Sequence, residues 1–146
     1  LNKLFAEIAT SQSFNMQEEV KLELRLAEED VTITTDSTRL EQVINNLVNN
    51  AKKFTEQGYI RIGYQKVNED MVELFVEDTG RGMSEEVRTH IFERFYKGDT
   101  FVQGTGLGLS ICQTIINRFN GTINVSSKEG EGSRFSILLP IHLAEA

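Results

Sequence analysis

Three polar and glycine clusters, fixed in their order along 146 residues, constrain this chain more than any property of its composition. Asn46 and Asn50 stand one helical turn apart, Asp78-Thr79-Gly80-Arg81-Gly82 follows an apolar alternating run, and Gly104-Thr105-Gly106-Leu107-Gly108 opens a second amphipathic segment. An amide oxygen can ligate a metal, a carboxylate can read a base edge, and glycines let backbone N–H groups approach phosphates at a helix N-terminus. Together the clusters describe a nucleotide site.

The spacing of apolar residues places them on particular elements. Leu1, Leu4, Phe5 and Ile8 fall on one helical face, while Val20, Leu22, Leu24 and Leu26 alternate with charged residues as in a half-buried strand. Val31–Thr35 reads as a further strand, after which Asp36, Ser37 and Thr38 offer N-caps for the helix carrying the asparagines. Tyr59–Tyr64 and Met71–Glu77 form a strand pair about the polar turn Asn68-Glu69-Asp70. Ser84 with Glu85 and Glu86 starts a helix expected to run to about Phe95, and Leu107 to about Asn120 forms another, stopped by Gly121. Thr122–Ser127 and Ser133–Leu139 close the chain as β segments. The sum is an α/β sandwich, with helices on one face of a mixed, mostly antiparallel sheet.

Projected at 100° per residue, Leu40, Val43, Ile44, Leu47, Ala51 and Phe54 make one stripe that must face the sheet. Asn46, Asn50, Lys53 and Arg39 lie on one flank of it, and Asn45, Asn49 and Lys52 are expected to face solvent. Four asparagines in six residues cost helix stability, because their side chains compete for backbone hydrogen bonds. Asn46 and Asn50 are therefore candidates for chemistry, with Asn50 able to offer its oxygen to Mg²⁺ without adding charge beside phosphates. Asp78 would accept a hydrogen bond from the exocyclic amine of adenine, where guanine carries a carbonyl. A turn alone would also explain Asp-Thr-Gly. The third cluster lacks the Gly-Lys-Ser/Thr of a P-loop and the preceding strand of a dinucleotide fold, which leaves a lid, roughly Glu93 to Gln103, anchored by glycines.

Composition bounds the partners. Hydrophobic and charged fractions of 39% and 25% are those of a globular domain, and a formal charge of −7 argues against nucleic acid, whose phosphates need a basic face. Lys53, Arg94 and Lys97 suffice for one polyphosphate. The single cysteine, Cys112, cannot form an internal disulfide and sits among Leu109, Ile111, Ile115 and Ile116, as a core residue does. No run reaches the roughly 18 apolar residues of a membrane helix. Residues 1–146 read as one domain, and a first residue of Leu1 without Met as a piece of a longer chain.

These residues resemble the catalytic ATP-binding domain of a bacterial sensor histidine kinase, of the superfamily shared with DNA gyrase, mismatch-repair and heat-shock chaperone ATPases. Asn46-Leu-Val-Asn-Asn-Ala-Lys-Lys-Phe-Thr55 resembles the N box, Asp78–Gly82 the first glycine box, Ile91-Phe-Glu-Arg-Phe95 the F box, and Gly104–Leu109 the second glycine box. Gly130-Glu-Gly-Ser-Arg-Phe135 is similar to the closing glycine motif. The resemblance implies a Bergerat-type fold, a five-stranded sheet with about three helices on one face. It implies ATP and Mg²⁺ as cofactors, Asn50 as metal ligand with Asn46 supporting, and Lys53, Tyr96 and Lys97 at the phosphates. Asp78 would hold adenine, while Gly80, Gly82, Gly104, Thr105, Gly106, Leu107 and Gly108 would shape the pocket. Lys97 stands where an Arg is common, a point charge in place of a fork.

Hydrolytic members of that superfamily carry a Glu as general base one turn before the metal-binding Asn; here the position is Asn46, whose amide cannot accept a proton at neutral pH. The implied activity is therefore transfer of the γ-phosphoryl group to a histidine of an upstream dimerisation and phosphotransfer domain, for relay to a response regulator receiver domain. The phosphoacceptor should lie before Leu1, because neither His90 nor His142 begins a suitable helical hairpin. The resemblance further implies a homodimeric parent attached to the inner membrane, with this domain cytoplasmic. The alternative is a degenerate ATP-sensing or docking module without transfer.

Overall fold

The computed structural model of the chain describes residues 1–13, 19–27, 31, 33, 36–92 and 108–141. Its elements run α1 (Asn2–Gln12), β1 (Val20–Arg25), α2 (Ser37–Phe54), β2 (Gly58–Lys66), β3 (Met71–Asp78), α3 (Glu85–His90), α4 (Gly108–Arg118), β4 (Thr122–Lys128) and β5 (Gly132–Pro140). The strands form one five-stranded sheet in the order β1-β2-β3-β5-β4. Only β1 and β2 run parallel, and β2–β3, β3–β5 and β4–β5 are antiparallel.

Period-two alternation decides which side of this sheet is covered. Ile60, Ile62 and Tyr64 of β2, Val72, Leu74 and Val76 of β3, and Phe135, Ile137 and Leu139 of β5 are buried with the apolar residues of the helices in one cluster. Residues of the opposite phase carry an ionic ladder: Arg61 pairs with Glu23 at 3.4 Å, and Arg134 with Glu73 at 2.7 Å and Glu77 at 3.3 Å. The register sets Asp78 opposite Ile60 on one side and Ser133 on the other. Asp78 thus continues the inward series of Val72, Leu74 and Val76, which turns a carboxylate toward the helix layer.

Helix α2 forms where its caps and stripe require. Asp36 accepts from the backbone N–H groups of Thr38 at 3.0 Å and Arg39 at 3.2 Å, which satisfies two donors that a helix start leaves free. Leu40, Val43, Ile44, Leu47, Val48 and Ala51 are buried. Ser84 caps α3 by accepting from Val87 N–H. The β2–β3 turn closes on Asn68, whose Oδ1 accepts from the N–H groups of Asp70 and Met71.

Four expectations need correction. Of the strand expected over Val31–Thr35, Val31 and Ile33 are not strand residues and pack against the core, Thr32, Thr34 and Thr35 lie outside the described residues, and the Val31 carbonyl accepts from the Leu1 amino group at 2.8 Å. Asn45 and Lys52 do not face open solvent: Gln12 Nε2 donates to Asn45 Oδ1 at 2.7 Å and Lys52 Nζ donates to the Gln12 carbonyl at 2.7 Å, because α1 packs along that side of α2. Asn49 alone of the three is exposed. Helix α3 ends at His90, with a turn at Ile91 and Phe92, and Glu93–Phe95 lie outside the described residues. The residue that reverses the chain after α4 is Asn120, at φ 61°, one position before Gly121.

Candidate functional site

The end of β3, the loop after it, the C-terminal half of α2, the start of α4 and the start of β5 converge on one slot. Asn50 and Phe54 come from α2, Asp78 from β3, Met83 and Ile91 from either side of α3, Leu109 from α4 and Phe135 from β5. Asp78 is 7% exposed, and its Oδ1 accepts from Gly80 N–H at 2.9 Å. Burial raises its pKa above the ordinary carboxylate value, against the lowering effect of N–H donors from Gly80 and Ser133. One acceptor among apolar walls suits a flat, mostly apolar ring that carries a donor on one edge.

The glycines of Asp78–Gly82 act on the protein itself. A Cβ on Gly80 would stand 2.3 Å from the Phe54 carbonyl oxygen, and one on Gly82 would stand 2.0 Å from that of Lys128. Their bare backbones let the loop lie against the end of α2 and the β4–β5 turn, where Arg81 N–H donates to Phe54 O at 3.2 Å and Gly130 N–H donates to Arg81 O at 2.7 Å. The Arg81 guanidinium also lies 4.9 Å from the Phe54 ring centroid, which holds that ring at the slot. Gly82 has φ +69°, so Gly82→Ala combines left-handed strain with a backbone overlap and should cost at least about 2 kcal/mol. Denaturant unfolding at constant m-value measures this; a midpoint equal to that of the wild type refutes it.

Of the residues singled out by sequence, Asn50, Asp78 and Gly82 meet at the slot, with Gly80 directly behind its turn. Asn46 is half-buried one turn earlier, its Nδ2 3.7 Å from Cys112 Sγ. Lys53 is exposed, and Arg39 donates to Gln42 Oε1 at 3.1 Å. Gly108 begins α4, whereas Tyr96, Lys97, Gly104, Thr105, Gly106 and Leu107 lie outside the described residues. No group of three His, Cys, Asp or Glu side chains that could hold a metal occurs among the described residues. A divalent cation here would take the Asn50 oxygen together with phosphate and water oxygens, a donor set suited to Mg²⁺.

Sequence reading passed over Ser133, Met83, Leu109 and Phe135. Ser133 was within reach, since it lies in the closing glycine motif and the strand register pairs it with Asp78. The apolar lining carries no local signature, because Phe54, Met83, Ile91, Leu109 and Phe135 come from separate stretches of the chain.

Residues 35–143 match the family described as histidine kinase-, DNA gyrase B- and HSP90-like ATPase. The chain is 40% identical over 120 residues to the autoinducer 2 sensor kinase/phosphatase LuxQ of Vibrio cholerae, covering 77% of this chain and 14% of that protein. It is 43% identical over 112 residues to the sensor protein SrrB of Staphylococcus aureus, covering 73% of this chain and 19% of that one. It therefore spans less than a fifth of these two relatives. Among solved structures, full-length ShkA in complex with AMPPNP superposes with a TM-score of 0.88 at 30% identity, over 99% of this chain and 30% of that one. The nucleotide-free catalytic domain of histidine kinase ThkA gives 0.84 at 31% identity, over 97% and 94%.

Proposed function

Because this chain belongs to the histidine kinase-, DNA gyrase B- and HSP90-like ATPase family, we propose that its ATP site serves phosphoryl transfer to a histidine on a separate dimerisation domain. The observation that carries this reading is the buried Asp78 carboxylate, set by the strand register in an apolar slot that Asn50 also lines. Asp78 accepts from the exocyclic amine of adenine, while Phe54, Met83, Leu109 and Phe135 enclose the ring. The base is thereby oriented with its phosphates toward Asn50 and Asn46.

Asn50 would supply an oxygen to Mg²⁺, which when bound would neutralise the phosphates and the charge that develops on them. Lys53, Tyr96, Lys97 and the N–H groups of Gly104–Gly108 complete the phosphate end. In the transfer, an acceptor imidazole nitrogen forms a bond to the γ-phosphorus as the bond from phosphorus to the β,γ-bridging oxygen breaks. ADP leaves and the imidazole gives up its N–H proton. Asn46 stands in the position from which a hydrolase would activate water with a carboxylate, so attack by the supplied histidine is favoured over attack by water.

The domain then works beside an upstream dimerisation and phosphotransfer domain and a response regulator receiver domain, within a homodimeric parent. Attachment of that parent to the inner membrane would place this domain in the cytoplasm. No described helix is itself long and apolar enough to cross a membrane. The test is to incubate the chain and the parent's separately made acceptor domain with γ-labelled ATP. Label on the acceptor histidine is the expected result; nucleotide binding without label would replace this reading with an ATP-sensing docking module.

A further inference from the structure

We propose that Cys112 is a positioning residue, whose thiol fixes the direction in which the Asn46 amide faces. The inference rests on the role given to Asn46 in the proposed function, and it comes from the polarity of a short hydrogen-bond chain between α2 and α4. Cys112 is fully buried, with Sγ 3.8 Å from the Val43 carbonyl oxygen and 3.7 Å from Asn46 Nδ2. The thiol donates its one proton to the Val43 carbonyl, which can only accept. Sulfur then presents lone pairs to Asn46, and the end of the amide that meets it is the NH₂. The amide oxygen is turned to the other side.

Burial keeps this arrangement intact at neutral pH, because it pushes the Cys112 thiol up to about 11 and the proton stays on sulfur. Asn46 lies one turn from Asn50 on the same flank of α2. A fixed outward Oδ1 places an acceptor beside the metal-binding amide, suited to a cation's water shell or an acceptor N–H and unsuited to a phosphate oxygen. Remove the sulfur and nothing else among the described contacts distinguishes the two ends of the Asn46 side chain. The thiol is thus a weak bond with an orienting consequence, and it ties α4, the helix that begins within the second glycine box, to the N box.

Cys112→Val removes both donor and acceptor, Cys112→Ala does so without risk of overpacking, and Cys112→Ser keeps both. Two readouts separate the claims. In the nucleotide-free protein, the side-chain amide resonances of Asn46 should shift and exchange faster with water in the Val and Ala variants, and stay protected in the Ser variant. In phosphoryl transfer, kcat should fall roughly fivefold to tenfold in Val and Ala, the effect of one modest hydrogen bond, with KM for ATP unchanged and the Ser variant restored. Unaltered Asn46 resonances in folded Val and Ala variants would overturn the proposal, as would altered resonances with unchanged kcat. A wild-type protein that makes no phosphohistidine would instead overturn the proposed function, while the Asn46 resonances still decide whether the thiol orients the amide.

Discussion

Asn50→Ala is expected to lower phosphoryl transfer by more than about 100-fold, since a metal that neutralises transferring phosphates is worth several kcal/mol and this amide is its protein ligand in the proposed site. Asn49→Ala, one residue earlier on the exposed side of α2, should leave transfer within about twofold, as surface substitutions do. The pair shares helix, residue type and propensity cost, so the contrast isolates the direction of the side chain. Asn50 lines the slot with Asp78, whereas Asn49 reaches none of it. A magnesium titration of nucleotide binding and transfer in both variants gives the answer. Equal behaviour would mean that the half-buried flank of α2 does not face the phosphates, and the geometry of the proposed site would have to be abandoned.

The stripe of α2 was legible because a long helix against a sheet obeys one period, and every residue from Leu40 to Ala51 named in that stripe is buried. Val48, 0% exposed, widens it, as a helix flanked by both α1 and α4 buries more than a single face. The same packing undid the solvent assignment of Asn45 and Lys52: no sequence period tells which neighbouring helix will lie along a polar flank. Val31 and Ile33 misled for a related reason. Alternating β-branched residues fit a pleated surface, yet β1 already pairs with β2, and these side chains reach the core without joining a ladder.

At the site, the residues that carry polarity were visible and those that carry shape were not. Asp78 announced itself by ending an apolar strand, and the register then turned it inward. Gly80 and Gly82 were expected to shape the pocket, and the atoms nearest a Cβ at either position are the chain's own carbonyls. Their effect on the slot is indirect, through the loop they let close against α2 and β4. Cys112 could be read as a core residue from its apolar neighbours; that it also meets Asn46 depends on how α2 and α4 cross, which neither sequence segment encodes alone.

Asp78→Asn is expected to move stability and binding in opposite directions. In the nucleotide-free protein, burial raises the carboxyl pKa above its ordinary value, so the folded state favours the neutral form more than the unfolded state does. The stability contributed by this group is therefore fully present below the unfolded-state pKa and is lost as pH rises through the higher folded-state value. Asparagine stays neutral throughout. Its stability advantage over the wild type should thus be absent below the unfolded-state pKa, grow as pH climbs toward the raised folded-state value, and reach a plateau above it. Binding should change the other way, because the adenine amine loses a charged acceptor: affinity for ATP should fall by about 1.5–3 kcal/mol, roughly tenfold to 150-fold. Thermal unfolding across pH and titration with a fluorescent ATP analogue measure the two effects on the same samples. A variant less stable than the wild type at neutral pH would show that the N–H donors of Gly80 and Ser133, which prefer a carboxylate, outweigh its desolvation. Undiminished affinity for ATP would remove Asp78 from the base site, however well the rest of the slot fitted a purine.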